Sequence, residues 1–152
     1  DKYRGDKLGA NTVISKSNFN VDSWGTGRYW IMDNVSTLGI TTSLSLTIEA
    51  NSVGSTGTWG GPRDFVVEYS LDGESWHQVA SYQLTGQIEA GMTQNVTAGP
   101  KIFTYNLPDE LLNKPNIKIR LMNVNNTSVT GGTTTIPGAT SRLAHFSIRY
   151  TK

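Results

Sequence analysis

From residue 42 to residue 51 the chain alternates without a slip. Leu44, Leu46, Ile48 and Ala50 fall on one side, Ser43, Ser45, Thr47 and Glu49 on the other. A period of two sends successive side chains to opposite faces of an extended strand, so one face of this segment belongs against a core and the other against water. The pattern returns at 117–122, where Ile117, Ile119 and Leu121 alternate with Lys118, Arg120 and Met122. It returns again at 143–150, with Ala144, Phe146, Ile148 and Tyr150 on one face and His145, Ser147 and Arg149 on the other. Further β-rich runs cover 12–15, 28–32, 65–69, 76–82 and 102–107. Between two of these runs stands Asp72-Gly73, and Gly accepts the positive φ that a tight hairpin turn demands. Helical character is confined to one turn at 107–113, opened by Pro108 and closed by Pro115. About eight strands separated by Gly, Asn, Asp and Pro predict an all-β antiparallel sandwich or jelly roll.

The chain of 152 residues fits a single domain, 1–152, with no linker dividing it. There is no cysteine, which removes disulfides, thiolate catalysis and cysteine-bound zinc. Net charge is +1 and charged residues make up 16%, against about 25% in an average domain. Ser, Thr, Asn and Gly fill the difference, a surface suited to the outside of a cell. Nucleic acid is excluded as a partner because no basic stripe is present to neutralise phosphates. No run of about 18 apolar residues exists, so no membrane-spanning helix is expected. The chain begins at Asp1, and we read it as a module of a larger secreted or cell-surface protein, monomeric and tethered to other domains.

Three segments carry a resemblance. The run Phe65-Val66-Val67-Glu68-Tyr69-Ser70-Leu71-Asp72-Gly73-Glu74-Ser75-Trp76 resembles the central hairpin of bacterial secreted jelly rolls of the galactose-binding-like kind. Leu107-Pro108 followed by Ile117-Lys118-Ile119-Arg120-Leu121 resembles their next strand pair, and Ser141-Arg142-Leu143-Ala144-His145-Phe146-Ser147-Ile148 their closing strand. The resemblance implies a galactose-binding-like β-sandwich, often a carbohydrate-binding appendage of a secreted enzyme. Many such modules hold a structural calcium through an Asp in the closing strand. Here Ala144 and His145 occupy that region, so no cofactor is expected and a calcium site lacks support.

Catalysis has little to stand on. Sugar hydrolysis needs two carboxylates about 5–10 Å apart, yet Asp72 sits in the hairpin turn and Asp109 and Glu110 at the start of the short helical turn. His77 and His145 lack metal-ligand spacing, and no Gly-x-Ser-x-Gly elbow is present. Asn34, Asn95 and Asn125 open glycosylation-type triplets of the sort that Asn- and Thr-rich chains produce by chance.

Binding has more. A sugar offers an apolar C–H face ringed by hydroxyls, which an aromatic ring and planar polar groups can grip. Trp59 stands in a Gly-rich stretch with little apolar around it, either open to a ligand or folded back as a lid. Arg63 beside it offers a planar donor fork, or an ion pair with Asp64 or Glu68. Trp24 lies between Ser23 and Gly25, close to Arg28, Tyr29 and Trp30; Trp30 is expected to pack inward, and packing is also the leading reading of Trp24. Trp76 is expected to cover the neighbouring strand. The candidate carbohydrate-binding residues are therefore Trp59, Trp24, Arg63, Arg28, Tyr29, Asn123 and Asn125. A structural or adhesive domain of a bacterial surface protein is the alternative, and a glycosidase or lyase on a jelly roll a more distant one. The outward face of 143–150, joined to Ser45, Thr47 and Glu49 if the two strands pair, reads as a solvated sheet face.

Overall fold

The structure, a computed structural model, describes residues 2–4, 12–15, 18–21, 24–55, 59–84, 86–87, 101–132, 134 and 140–150. In chain order the strands are β1 (Lys2–Arg4), β2 (Thr12–Ser15), β3 (Asn18–Val21), β4 (Tyr29–Val35), β5 (Leu44–Ser55), β6 (Trp59–Gly60), β7 (Asp64–Ser70), β8 (His77–Gln83), β9 (Gly86–Gln87), β10 (Lys101–Asn106), β11 (Ile117–Asn123) and β12 (Thr140–Tyr150). The helical segment of the sequence is a single 3-10 turn, Asp109–Leu111.

The strands form two sheets. One runs β1-β4-β11-β7-β8; the other runs β10-β5-β12-β3-β2, with β6 and β9 attached to β5. Among the described residues all pairings are antiparallel except the two-residue contact of β9 with β5. The fold is the expected antiparallel β-sandwich.

The alternation seen in the sequence builds the core directly. Leu46 and Ile48 of β5 and Ile117, Ile119 and Leu121 of β11 are all 0% exposed. Phe65 and Val67 of β7, Trp30 and Met32 of β4, and Leu143 and Phe146 of β12 join the same cluster. Burying each such side chain removes apolar surface from water and contributes about 1.5–3 kcal/mol.

The closing strand departs from simple alternation. The register with β5 shifts between Leu143 and His145, a bulge that leaves Ala144 as the extra residue. Both Leu143 and Phe146 consequently face the core, whereas Ala144 is only half-buried and Tyr150 is 50% exposed. The expected inward row of Ala144, Phe146, Ile148 and Tyr150 is corrected to one led by Leu143 and Phe146. The outward row is as read: His145 faces Glu49, Ser147 faces Thr47 and Arg149 faces Ser45.

Two close approaches fix the start of β7. Gly61 presses against β12, where any Cβ would collide with the Thr140 carbonyl, and its N–H bonds the Val53 carbonyl at 2.6 Å. The chain after β11 folds back on this segment, with Arg63 N–H donating to the Thr127 carbonyl and Val129 N–H to the Gly61 carbonyl. A glycine here is a packing requirement, and it sets where Arg63 and Asp64 begin their strand.

Candidate functional site

In β7 the odd positions Phe65, Val67 and Tyr69 are buried in the core, so Asp64, Val66 and Glu68 project from the outer face of the five-stranded sheet. Asp64 anchors one end of that face. Its Oδ1 accepts from Arg63 Nε at 3.0 Å and Gln83 Nε2 at 2.8 Å. Its Oδ2 accepts from Arg63 Nη2 at 3.0 Å and Asn125 Nδ2 at 2.9 Å. A carboxylate offers about four lone-pair sites, so Asp64 is saturated. It organises three planar polar side chains and has no acceptor left for a ligand. The Arg63 guanidinium, more than any other cause, holds the Asp64 carboxyl below its ordinary range; Asn125 and Gln83 add to the effect and burial opposes it. Gln83 is brought there by strand register, because it pairs with Asp64 across β7 and β8. Asn125 is held from its other side, its Oδ1 accepting from Thr127 N–H at 2.9 Å.

Beside this hub a cleft of about 520 Å³ opens between β8 and β10. A ladder of rings backs it: Phe65 and Tyr82, both buried in the core, stack at 5.2 Å, and Tyr82 meets the half-buried Phe103 at 4.7 Å. Lys101 Nζ lies 5.8 Å from the Phe103 ring centre. Burial pushes the Tyr82 hydroxyl well above its ordinary pKa, so it stays protonated as part of the wall.

Further along the same face the register aligns Ile31, Arg120, Glu68 and Gln78, and next to them Tyr29, Met122, Val66 and Ser81. Arg120 Nε donates to Glu68 Oε2 at 2.6 Å. The Arg120 guanidinium lies 4.0 Å from the Trp76 ring centre and 5.4 Å from that of Tyr29. Cation–π contacts of this kind are worth about 0.5–1 kcal/mol at exposed sites. Lys118 and Asp33 form a further ion pair beyond them. Trp76 lies over the Arg120 guanidinium, which extends from β11 to Glu68 on β7, the strand next to β8.

The structure sorts the seven candidates. Arg63 and Asn125 meet on Asp64, and Tyr29 shares their sheet face. Arg28 precedes β4 and takes part through its backbone, its carbonyl accepting from Asn123 N–H at 2.8 Å. Two candidates are corrected. Trp24 is 2% exposed and packs 5.4 Å from both Trp30 and Phe65, so it presents no ring face to a ligand. Its Gly-flanked loop is drawn inward because Thr26 N–H and Oγ1 both donate to Asn126 Oδ1 and Gly27 N–H donates to the Asn123 carbonyl. Asn123 is 0% exposed and spends its Nδ2 on the Asp64 carbonyl oxygen at 3.0 Å, a clamp behind the hub. The side chain of Trp59 lies outside the described residues; its backbone pairs with Ser55 in β6. Gln83, Arg120, Glu68 and Trp76 were not among the candidates. Their signal was parity: Arg120 and Glu68 occupy the polar positions of strongly alternating strands. Among the described residues no three His, Asp or Glu side chains gather closely enough to hold a metal ion, and no helix is long and apolar enough to cross a membrane.

No family model and no curated protein matches the sequence. Solved structures do match the fold. The xylan-binding module CBM15 superposes with a TM-score of 0.61 at 12% identity, covering 100% of this chain and 92% of that one. A CBM4 structure gives 0.55 at 10% identity, covering 98% and 94%. Xylanase10C (mutant E385A) from Cellvibrio japonicus, in complex with xylopentaose, gives 0.53 at 12% identity, covering 100% of this chain and 27% of that one. The chain has the β-sandwich fold of carbohydrate-binding modules.

Proposed function

We propose that this protein is a non-catalytic carbohydrate-binding module, acting outside the cell as a tethered domain, that holds a polysaccharide chain on the outer face of its five-stranded sheet. The observation that carries the reading is the hub. Three planar polar side chains, Arg63, Gln83 and Asn125, are locked by one carboxylate at the mouth of a ring-walled cleft, on the face that also carries Tyr29 and Trp76. Preorganised donors and acceptors cost little side-chain entropy on binding, and the half-buried rings of Phe103, Tyr29 and Trp76, rather than the buried Phe65 and Tyr82, would supply apolar contact for a sugar. The fold shared with the xylan-binding module makes neutral plant polysaccharides the first ligands to try.

Hydrolysis is not part of the proposal. The outward carboxylates Asp64 and Glu68 stand four positions apart on one strand, roughly 13 Å at about 3.3 Å per residue, beyond the separation of a glycosidase pair. Each is also committed to an arginine, and Asp33, the third carboxylate on this face, to Lys118. Affinity electrophoresis against xylan, mixed-linkage glucan, mannan and pectin tests the reading. At least one retarded, saturable interaction with no release of reducing ends is expected. Retardation by none of them, together with binding to a protein partner, would favour an adhesive or structural domain instead.

A further inference from the structure

The middle of the face carries an arrangement that the hub does not explain. Arg120 has five N–H donors, and among the described residues its one hydrogen bond is Nε to Glu68 Oε2 at 2.6 Å. The four donors on its two Nη atoms are uncommitted, while the guanidinium is fixed by the Trp76 ring 4.0 Å away and by Tyr29 on the other flank. Glu68 in turn has Oε1 to offer. The pair thus presents fixed donors and a fixed acceptor side by side, with the two charges cancelling. A hydroxyl both donates and accepts, so two neighbouring hydroxyls on a sugar ring match both halves of the pair. A carboxylate only accepts. It would satisfy the Arg120 donors but bring a like charge against Glu68, which costs affinity.

We propose that Arg120 and Glu68 form a subsite that selects an uncharged sugar through a vicinal diol and rejects a uronate at the same position. This rests on the carbohydrate-binding reading and names the chemical class it takes. Glu68 is then a specificity residue, because its charge is what keeps Arg120 from acting as an anion site.

Calorimetric titration of the intact protein with xylohexaose, cellohexaose and hexagalacturonate, at low and physiological salt, tests the proposal. The wild type is expected to bind a neutral hexasaccharide and to bind hexagalacturonate at least tenfold more weakly. R120K keeps the charge and the ion pair but loses the planar fork, and it should weaken neutral binding at least tenfold with an unchanged melting temperature. E68Q should weaken neutral binding and tighten hexagalacturonate at least tenfold, a gain that disappears as salt is raised. If R120K and R120A both bind the neutral sugar within twofold of wild type, or if E68Q gains nothing for the acidic one, the subsite is overturned while the carbohydrate-binding reading survives. If the wild type binds no sugar of either kind, both fall together.

Discussion

The two outer faces of this sandwich are built from the same kind of sequence and end with different properties. On the β10-β5-β12 side the outward positions are Ile102, Thr104 and Asn106, then Ser45, Thr47 and Glu49, then His145, Ser147 and Arg149. None of them is aromatic, and among the described residues the side-chain link between them is a single contact of 2.7 Å between His145 Nε2 and Ser147 Oγ. On the β4-β11-β7-β8 side the outward polar groups are tied to one another: Arg63 to Asp64, Arg120 to Glu68, Lys118 to Asp33, with Gln83 and Asn125 closing on the first pair. Tyr29 and Trp76 flank the central arginine. An alternating strand guarantees a polar face. What separates a solvated face from a binding face is whether its planar groups are held still by partners and rings before any ligand arrives.

The largest effect expected concerns a residue behind the face rather than on it. Trp24→Ala should lower stability by about 3–5 kcal/mol, as removal of a buried aromatic does, measured by denaturant unfolding. A loss under about 1 kcal/mol would mean that the ring is not core, and the division into core and face would need redrawing. Trp76→Ala should weaken polysaccharide binding at least tenfold, about 1.4 kcal/mol, while moving the melting temperature little, since the ring is only half-buried.

Asp64→Asn should cost about 1–3 kcal/mol, because an amide cannot accept all four bonds and its NH2 meets the Asn125 or Gln83 donor. It should also weaken binding severalfold. The acid form of that test follows from the depressed Asp64 pKa. A carboxyl whose folded value lies below its unfolded one contributes stability above the unfolded value, about 3.9, and loses it as pH falls through the folded one. Binding should therefore stay flat from pH 8 down to about 5 and fail only in stronger acid; a midpoint near neutrality would show that Asp64 is not the group holding the hub. The smallest effect belongs to the opposite face: Ser147→Ala and Thr47→Ala should leave affinity within twofold and stability within about 0.5 kcal/mol. A tenfold loss from either would move the site to the other sheet.

Most of the fold was legible because alternation is a local property. The polar row of residues 42–51 and the Asp72-Gly73 hairpin follow from parity and turn chemistry, whereas the pairing of that row with the closing strand is a condition that the structure fills. The bulge at Ala144 was hidden, since a register shift depends on the partner strand. The tryptophans show the same limit. Trp24 in its Gly-flanked loop reads first as packing and second as a site residue, and what decides between the two is distant in sequence: Thr26 and Gly27 bond the loop after β11, and the ring lies in the core. Trp76 beside a hairpin looks like packing, yet it rests on Arg120, and only the strand order places those two together. Asn123 could have been read correctly: it continues the buried row Ile117, Ile119, Leu121.

Mapping the ligand on the sheet tests the account most directly. Amide and side-chain chemical shifts followed by NMR during titration with xylohexaose, or whichever neutral oligosaccharide proves to bind, should move at Tyr29, Gln83, Arg120, Asn125 and the Trp76 indole, and stay still at Thr47, Thr104 and Ser147. Shifts gathered on Thr47, Thr104 and Ser147, with the Trp76 indole unmoved, would contradict it.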